Sequence, residues 1–195
     1  RGPKYNINTI KPENLNALTI DEGDRSKSSP YEALNYFILE NLLENFRKLF
    51  PGENSLIDVG SGKGRVMVVA AHYGFKNITG VDFAKELCAA AERNINKIKL
   101  QFPGTTFNIY CRDILNYTIN ADDKVFFLFN PFNKEIMEKF LEKIDRSVKE
   151  HRRTIYFIYA NPQQKETLLQ KGYKEVFRIK KLRLLKGVIL IRQSK

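Results

Sequence analysis

The chain has 195 residues, 43% hydrophobic and 12% aromatic, with 11 Gly and 7 Pro. That composition suits one globular domain and excludes a collagen-like, low-complexity or mostly disordered chain. The net charge is +11. No run approaches the ~18 apolar residues of a membrane-spanning helix, and the start, RGPKYNINTIKPEN, lacks the apolar stretch of a signal peptide.

Residues 1–28 are polar and aperiodic, with Pro3, Pro12, Gly23 and the stretch DEGDRSKSS. They read as an arm or lid ahead of a domain spanning 29–195. Ser29-Pro30-Tyr31-Glu32 has the form of a helix start, with a capping Ser, Pro at the first helical position and Glu where a capping box needs it. Leu34, Phe37, Ile38, Leu42, Phe46 and Leu49 then recur at helical spacing until Pro51-Gly52. Beyond that the period changes. SLIDVG reads as a strand, GRVMVVAAHYG as a helix, NITGVDF as a strand and AKELCAAAERNINKIKLQF as a long helix. TFNIYCRD and KVFFLFNPF are strands, KEIMEKFLEKIDRSVKE a helix, TIYFIYANP a strand and QQKETLLQKG a short helix. YKEVFRIK and GVILIRQ close the chain as two strands with no helix between them. The alternation predicts an α/β fold: a single doubly wound, mostly parallel sheet covered on both faces. The helix-free final pair adds an antiparallel strand at its end.

Cys88 and Cys111 are too few for a disulfide framework and fit no metal spacing. They read as two small buried side chains, in keeping with a reducing cytoplasm. His72 and His151 map to the side of the sheet away from the strand C-termini, where such sheets bind ligands, so histidine catalysis and a metal site are not expected. Charge is lopsided. Residues 133–195 hold 17 Lys and Arg against 7 Asp and Glu, and KEVFRIKKLRLLKGVILIRQSK has eight basic residues and one acidic. That pattern fits either lysines guarding edge strands or a surface for RNA, acidic protein or anionic lipid.

The sharpest motif is Asp58-Val59-Gly60-Ser61-Gly62-Lys63-Gly64-Arg65, between a predicted strand and helix. Glycines there permit positive φ and close approach of a ligand, and the helix N-terminus offers free N–H groups. The next strand ends in Asp82, which a doubly wound sheet places beside the glycine loop, within reach of ribose hydroxyls. A dinucleotide fingerprint would put its third glycine at Arg65, and no P-loop is present. Asp58 would repel a pyrophosphate and suits a ligand carrying an amino group.

At these residues the chain resembles the class I, seven-strand, Rossmann-like S-adenosylmethionine-dependent methyltransferases, over roughly residues 30–192. The resemblance implies that Asp58, Gly60, Ser61, Gly62 and Gly64 bind the methionine part of S-adenosylmethionine. It implies that Asp82, with Phe83 after it, holds the ribose, and that Asp113 and Ile114 flank the adenine. Phe129-Asn130-Pro131-Phe132-Asn133 is similar to the family's [DN]-P-P-[FYW] motif of amine and amide N-methyltransferases, without its second Pro. It gives Asn130, Pro131 and Phe132 the catalytic positions, with Asn130 also against the cofactor. DVGSGKGR and SPYEAL further resemble the ATP synthase c-subunit lysine methyltransferase family, whose members often carry a membrane anchor that is not seen here. The acceptor pocket is expected from Tyr31, Phe132, Tyr159 and Asn161. The expected activity is N-methylation of a protein lysine. An RNA or DNA methyltransferase using the basic C-terminal third is the alternative, followed by a non-catalytic cofactor-binding protein. The oligomeric state is left open.

Overall fold

The computed structural model describes residues 5, 7–9, 19, 32–181 and 185–194. Its centre is a seven-stranded sheet of β1 (Ser55–Val59), β2 (Asn77–Asp82), β3 (Thr106–Cys111), β4 (Val125–Phe129), β5 (Ile155–Ala160), β6 (Lys174–Lys181) and β7 (Leu185–Arg192). The spatial order is β3-β2-β1-β4-β5-β7-β6. β1 to β5 run parallel, and β7 is antiparallel to both its neighbours, β5 and β6. The expected fold class is therefore found, with the terminal antiparallel strand inserted between β5 and β6.

Burial follows the topology. β1, β4 and β5 lie inside the sheet with helices on both faces, so SLIDV, VFFLF and IYFIYA are almost wholly buried. The edge strands β3 and β6 instead alternate between exposed and half-buried positions. Successive residues serve opposite layers. Leu56, Phe127 and Ile158 join the core under α1 (Tyr36–Leu49), α2 (Arg65–His72) and α3 (Lys85–Ile98). Ile57, Phe126 and Phe157 join the core under α4 (Lys134–Glu150) and α5 (Lys165–Gln170). Each such side chain, fully buried, stabilises the fold by about 1.5–3 kcal/mol before the entropy of ordering it is counted. No helix among the described residues is long and apolar enough to cross a membrane.

Three local readings change. The first helix starts at Tyr36, not near Ser29, because Asn35 takes the cap position and its side chain accepts from the Phe37 N–H at 2.9 Å. Residues 32–35 are not helical. Leu34 is buried, and its carbonyl accepts from the Arg65 guanidinium instead of from a helical N–H. The long helix ends at Ile98 and tightens into a 3-10 turn over Lys99–Gln101. Cys111, read as buried, is exposed at the end of edge strand β3, whereas Cys88 is buried and both are free thiols. Of the N-terminal arm, Tyr5, Ile7 and Thr9 are buried on the domain. The Tyr5 ring stacks on Tyr36 at 5.2 Å and meets His72 edge-on at 5.0 Å.

Candidate active site

Strand order reverses between β1 and β4, and at that switch point, beyond their C-terminal ends, lies a cavity of about 440 Å³. Asp58, Gly60, Ser61, Gly62, Asp82, Phe83, Asp113, Ile114, Asn130, Pro131, Phe132 and Asn161 all line it. The sheet thus brings together residues up to 103 positions apart in the sequence.

The glycine loop is shaped by two contacts. Gly60 has φ +75°, and a Cβ there would sit 2.8 Å from Pro131 Cβ. The loop therefore rests directly on the turn after β4. Gly64, φ +78°, does not line the cavity; a Cβ there would press on Ala91 of α3 at 3.2 Å, so this glycine allows α2 and α3 to approach. Asp82 ties the loop from the other side. Its Oδ2 accepts from the Gly62 N–H at 2.8 Å and its Oδ1 from the Ala84 N–H at 3.0 Å. A carboxylate has about four lone-pair sites, so acceptor capacity remains for hydroxyl donors.

Asp58 is the electrostatic anomaly. It is 2% exposed, and no hydrogen bond reaches its Oδ2. Burial, and then the nearby Asp82, push its carboxyl well above the usual carboxylate range. Burial raises Asp82 too, opposed by N–H groups of Ala84, Gly62 and Phe83. A buried carboxylate oxygen beside a cavity, lacking a donor, has the chemistry to accept from a cation or ammonium group. Ser61 Oγ is also buried without a partner.

Across the cavity, β4 and β5 each end in an Asn-Pro pair. Asn130 has φ 46° and Asn161 φ 48°. Proline disfavours the right-handed helical region for the residue before it, and asparagine tolerates the left-handed one. Phe132 is buried against Phe140, ring centroids 6.0 Å apart. Tyr159 does not itself line the cavity. Its hydroxyl accepts from the Gln164 N–H at 3.2 Å and points its own proton at Asn130 Oδ1 at 3.5 Å. Burial pushes Tyr159 up to about 12, so it stays a donor at neutral pH. Asp113 folds back on its own turn, accepting from the Leu115 N–H at 2.7 Å. Tyr31 lies outside the described residues.

Sequence reasoning assigned no role to Arg65. It is 8% exposed, lines the cavity, donates from Nε to Thr9 Oγ1 at 2.8 Å, and lies 4.4 Å from the Tyr36 ring centroid. Its remaining terminal nitrogen is buried and unpaired. The helix-start pattern shows only that a residue at 65 begins a helix. Its neighbours come from residues 9 and 34, which no local signal reveals. Glu32, Ala33, Arg112 and Gln163 also line the cavity. His72 and His151 do not. Among the described residues no group of His, Cys, Asp and Glu is arranged to hold a metal ion.

Residues 56–151 match the family model described as a methyltransferase domain. The chain has the class I methyltransferase fold. That fold recurs in a Burkholderia thailandensis 1,6-didemethyltoxoflavin-N1-methyltransferase holding S-adenosylhomocysteine. There the TM-score is 0.60 at 11% identity, over 80% of this chain and 79% of that one. It recurs also in a Synechocystis magnesium protoporphyrin IX methyltransferase holding S-adenosylmethionine, with TM-score 0.54 and 11% identity, over 83% and 85% of the two chains. In sequence, the chain is 30% identical over 90 residues to EEF1A lysine methyltransferase 2 of Danio rerio. The match takes in 46% of this chain and 34% of the relative, so it spans about a third of that relative's length.

Proposed function

We propose that the chain is an S-adenosylmethionine-dependent N-methyltransferase whose acceptor is a lysine amine of a protein. The unpartnered, buried Asp58 Oδ2 carries the reading. A cavity of this volume with an orphaned carboxylate at one end suits a ligand with an ammonium group, and Asp82 suits its ribose hydroxyls. Asp58, Gly60, Ser61 and Gly62 would hold the amino-acid end, and the spare nitrogen of Arg65 its carboxylate. Phe83, Asp113 and Ile114 would border the base. Gly64 acts on this site through helix packing.

When bound, S-adenosylmethionine supplies a methyl group made electrophilic by a cationic sulfur. The chain has to present a nucleophile in line, about 3–3.5 Å from the carbon it attacks. Because Gly60 packs on Pro131, the donor loop and the Asn130-Pro131-Phe132 turn are already neighbours. Asn130 Oδ1, held by the Tyr159 hydroxyl, accepts an N–H of the entering amine and points its lone pair inward. Phe132 packs against the aliphatic stem. A lysine amine has a reference pKa of ~10.4, and a water-poor pocket favours its neutral, nucleophilic form. The Danio rerio relative supports the choice of lysine by the activity in its name.

The test is calorimetric titration with S-adenosylmethionine and, separately, NADH. Roughly micromolar binding of the first alone is expected, weakened in Asp82→Ala, whose loss also frees the Gly62 and Ala84 N–H groups. A radiolabelled-methyl screen over protein and RNA fractions should then place label on protein lysine. No binding of S-adenosylmethionine by the full chain removes the reading.

A further inference from the structure

The positive charge of the C-terminal third has no part in the site described so far, and the sheet register shows where it gathers. β6 and β7 pair antiparallel with Lys180 directly opposite Lys186 and Arg178 opposite Val188. Cross-strand partners share a face of the sheet, and so do residues two apart on one strand. Arg178, Lys180 and Lys186 therefore form one basic row, all three exposed.

Like charges directly opposite each other destabilise a strand pair. The usual remedy, an interposed acid, is missing. Among the described residues no carboxylate lies within ion-pair distance of Lys180 or Lys186. Glu175, the acid on this ribbon, is already occupied by Arg178 at 2.6 Å and Lys165 at 3.3 Å. Lysine as a guard against edge pairing would account for Lys180 on the edge strand β6. It does not account for Lys186, because β7 is paired on both sides.

The row also ends at the cavity. β7 is antiparallel, so its first residues lie at the C-terminal end of β5. The Asn161 N–H donates to the Lys186 carbonyl at 2.9 Å, and Asn161 lines the cavity. The uncompensated lysine pair thus stands one backbone hydrogen bond from the mouth through which an acceptor enters.

We propose that the Lys180–Lys186 pair is the docking surface for an acidic segment of the protein substrate flanking the methylated lysine. The proposal rests on the protein-lysine reading above. A polypeptide is favoured over a single-stranded nucleic acid because sequence-tolerant binding of the latter uses exposed aromatic rings for base stacking. Of the large hydrophobic residues exposed among the described ones, Leu49, Leu100, Tyr110 and Val176, only Tyr110 is aromatic. It lies on β3, at the opposite edge of the sheet.

The probes are a fluorescein-labelled peptide of alternating Glu and Gly around one central Lys, and a labelled oligouridylate of equal length. Anisotropy is read for the full chain at about 50 mM and about 200 mM salt. The peptide should bind the wild-type chain, lose affinity with salt, and bind Lys180→Glu/Lys186→Glu roughly tenfold more weakly. Lys180→Ala/Lys186→Ala should fall between. Calorimetric binding of S-adenosylhomocysteine should be unchanged in both variants, which also shows that they fold. Equal peptide binding by wild type and the Glu variant overturns the proposal, as does no peptide binding at all. Tighter binding of oligouridylate, lost in the variant, overturns it in favour of nucleic acid. Failure of the wild type to bind S-adenosylhomocysteine would instead strike the reading of the cavity.

Discussion

Replacing Asp58 by Asn separates what the cavity needs for folding from what it needs for a ligand. The side chain is 2% exposed with no donor to Oδ2, and its folded-state carboxyl is raised well above the usual range by burial and then by Asp82. An unfolded aspartate titrates near ~3.9. Between that value and the raised one the folded chain holds a proton that the unfolded chain has released. Stability from this group is therefore fully present below about pH 4 and is lost as pH rises through the folded pKa. At neutral pH keeping this carboxyl buried without a donor, whether by holding its proton or by bearing its charge, costs on the order of 1–3 kcal/mol. The Asn amide also lacks a partner but costs less to bury than an ion. Asp58→Asn should thus melt about 2–10 °C higher than wild type at pH 7, taking ~2–4 °C per kcal/mol for a domain of this size. The gain should shrink toward zero near pH 4. Ligand binding should move the other way, because a charge-assisted bond of roughly 1.5–3 kcal/mol is lost, or about ten- to a hundredfold in affinity for S-adenosylhomocysteine. Melting curves across pH and titration at pH 7 read both. A variant that melts below wild type at neutral pH, or that binds with wild-type affinity, refutes the reasoning.

If the Asn130 side chain positions the acceptor as proposed, Asn130→Ala should leave S-adenosylhomocysteine affinity within about twofold while turnover drops roughly a hundredfold. Asn130→Gly, which keeps the left-handed backbone accessible, serves as the control, and equal loss of binding and turnover in both would sink the assignment. Gly60→Ala meets a left-handed backbone and Pro131 Cβ at 2.8 Å together. A cost of about 2–4 kcal/mol follows, read as a melting point lower by about 4–15 °C, and an unchanged melt would mean that loop and turn are not in contact. Lys180→Glu alone puts opposite charges across from each other and should stabilise by about 0.2–1 kcal/mol. The double Glu variant should lose that gain because it restores a like-charge pair; if single and double variants melt alike, the register is wrong.

Much of the fold is legible along the chain because burial on both faces leaves an unmistakable mark. VFFLF and IYFIYA have no polar alternation, so they belong inside a parallel sheet, and the glycines after SLIDV announce a strand-to-helix turn, which the structure places at the cavity. The place of Asp58 at the cavity was equally readable, since it sits near the C-terminal end of a strand buried inside the sheet. Local signals failed where two equivalent ones competed. The sequence offered Ser29 as a cap, but the helix Tyr36–Leu49 is capped by Asn35, following Leu34, which is buried with its carbonyl held by Arg65.

The alternation of elements, the glycine loop and the acidic ends of β1 and β2 are set locally, because each depends on neighbours a few positions away. Which distant residues meet is set by the folding of the sheet. Gly60 against Pro131, Arg65 against Thr9 and Leu34, and Tyr159 behind Asn130 are products of strand order and crossover. The lysine pair is the clearest case. The register shift between Glu175 and Phe177 leaves Val176 without a partner across the ribbon. Moving the pairing by one residue would turn Lys180 to the other face, away from Lys186.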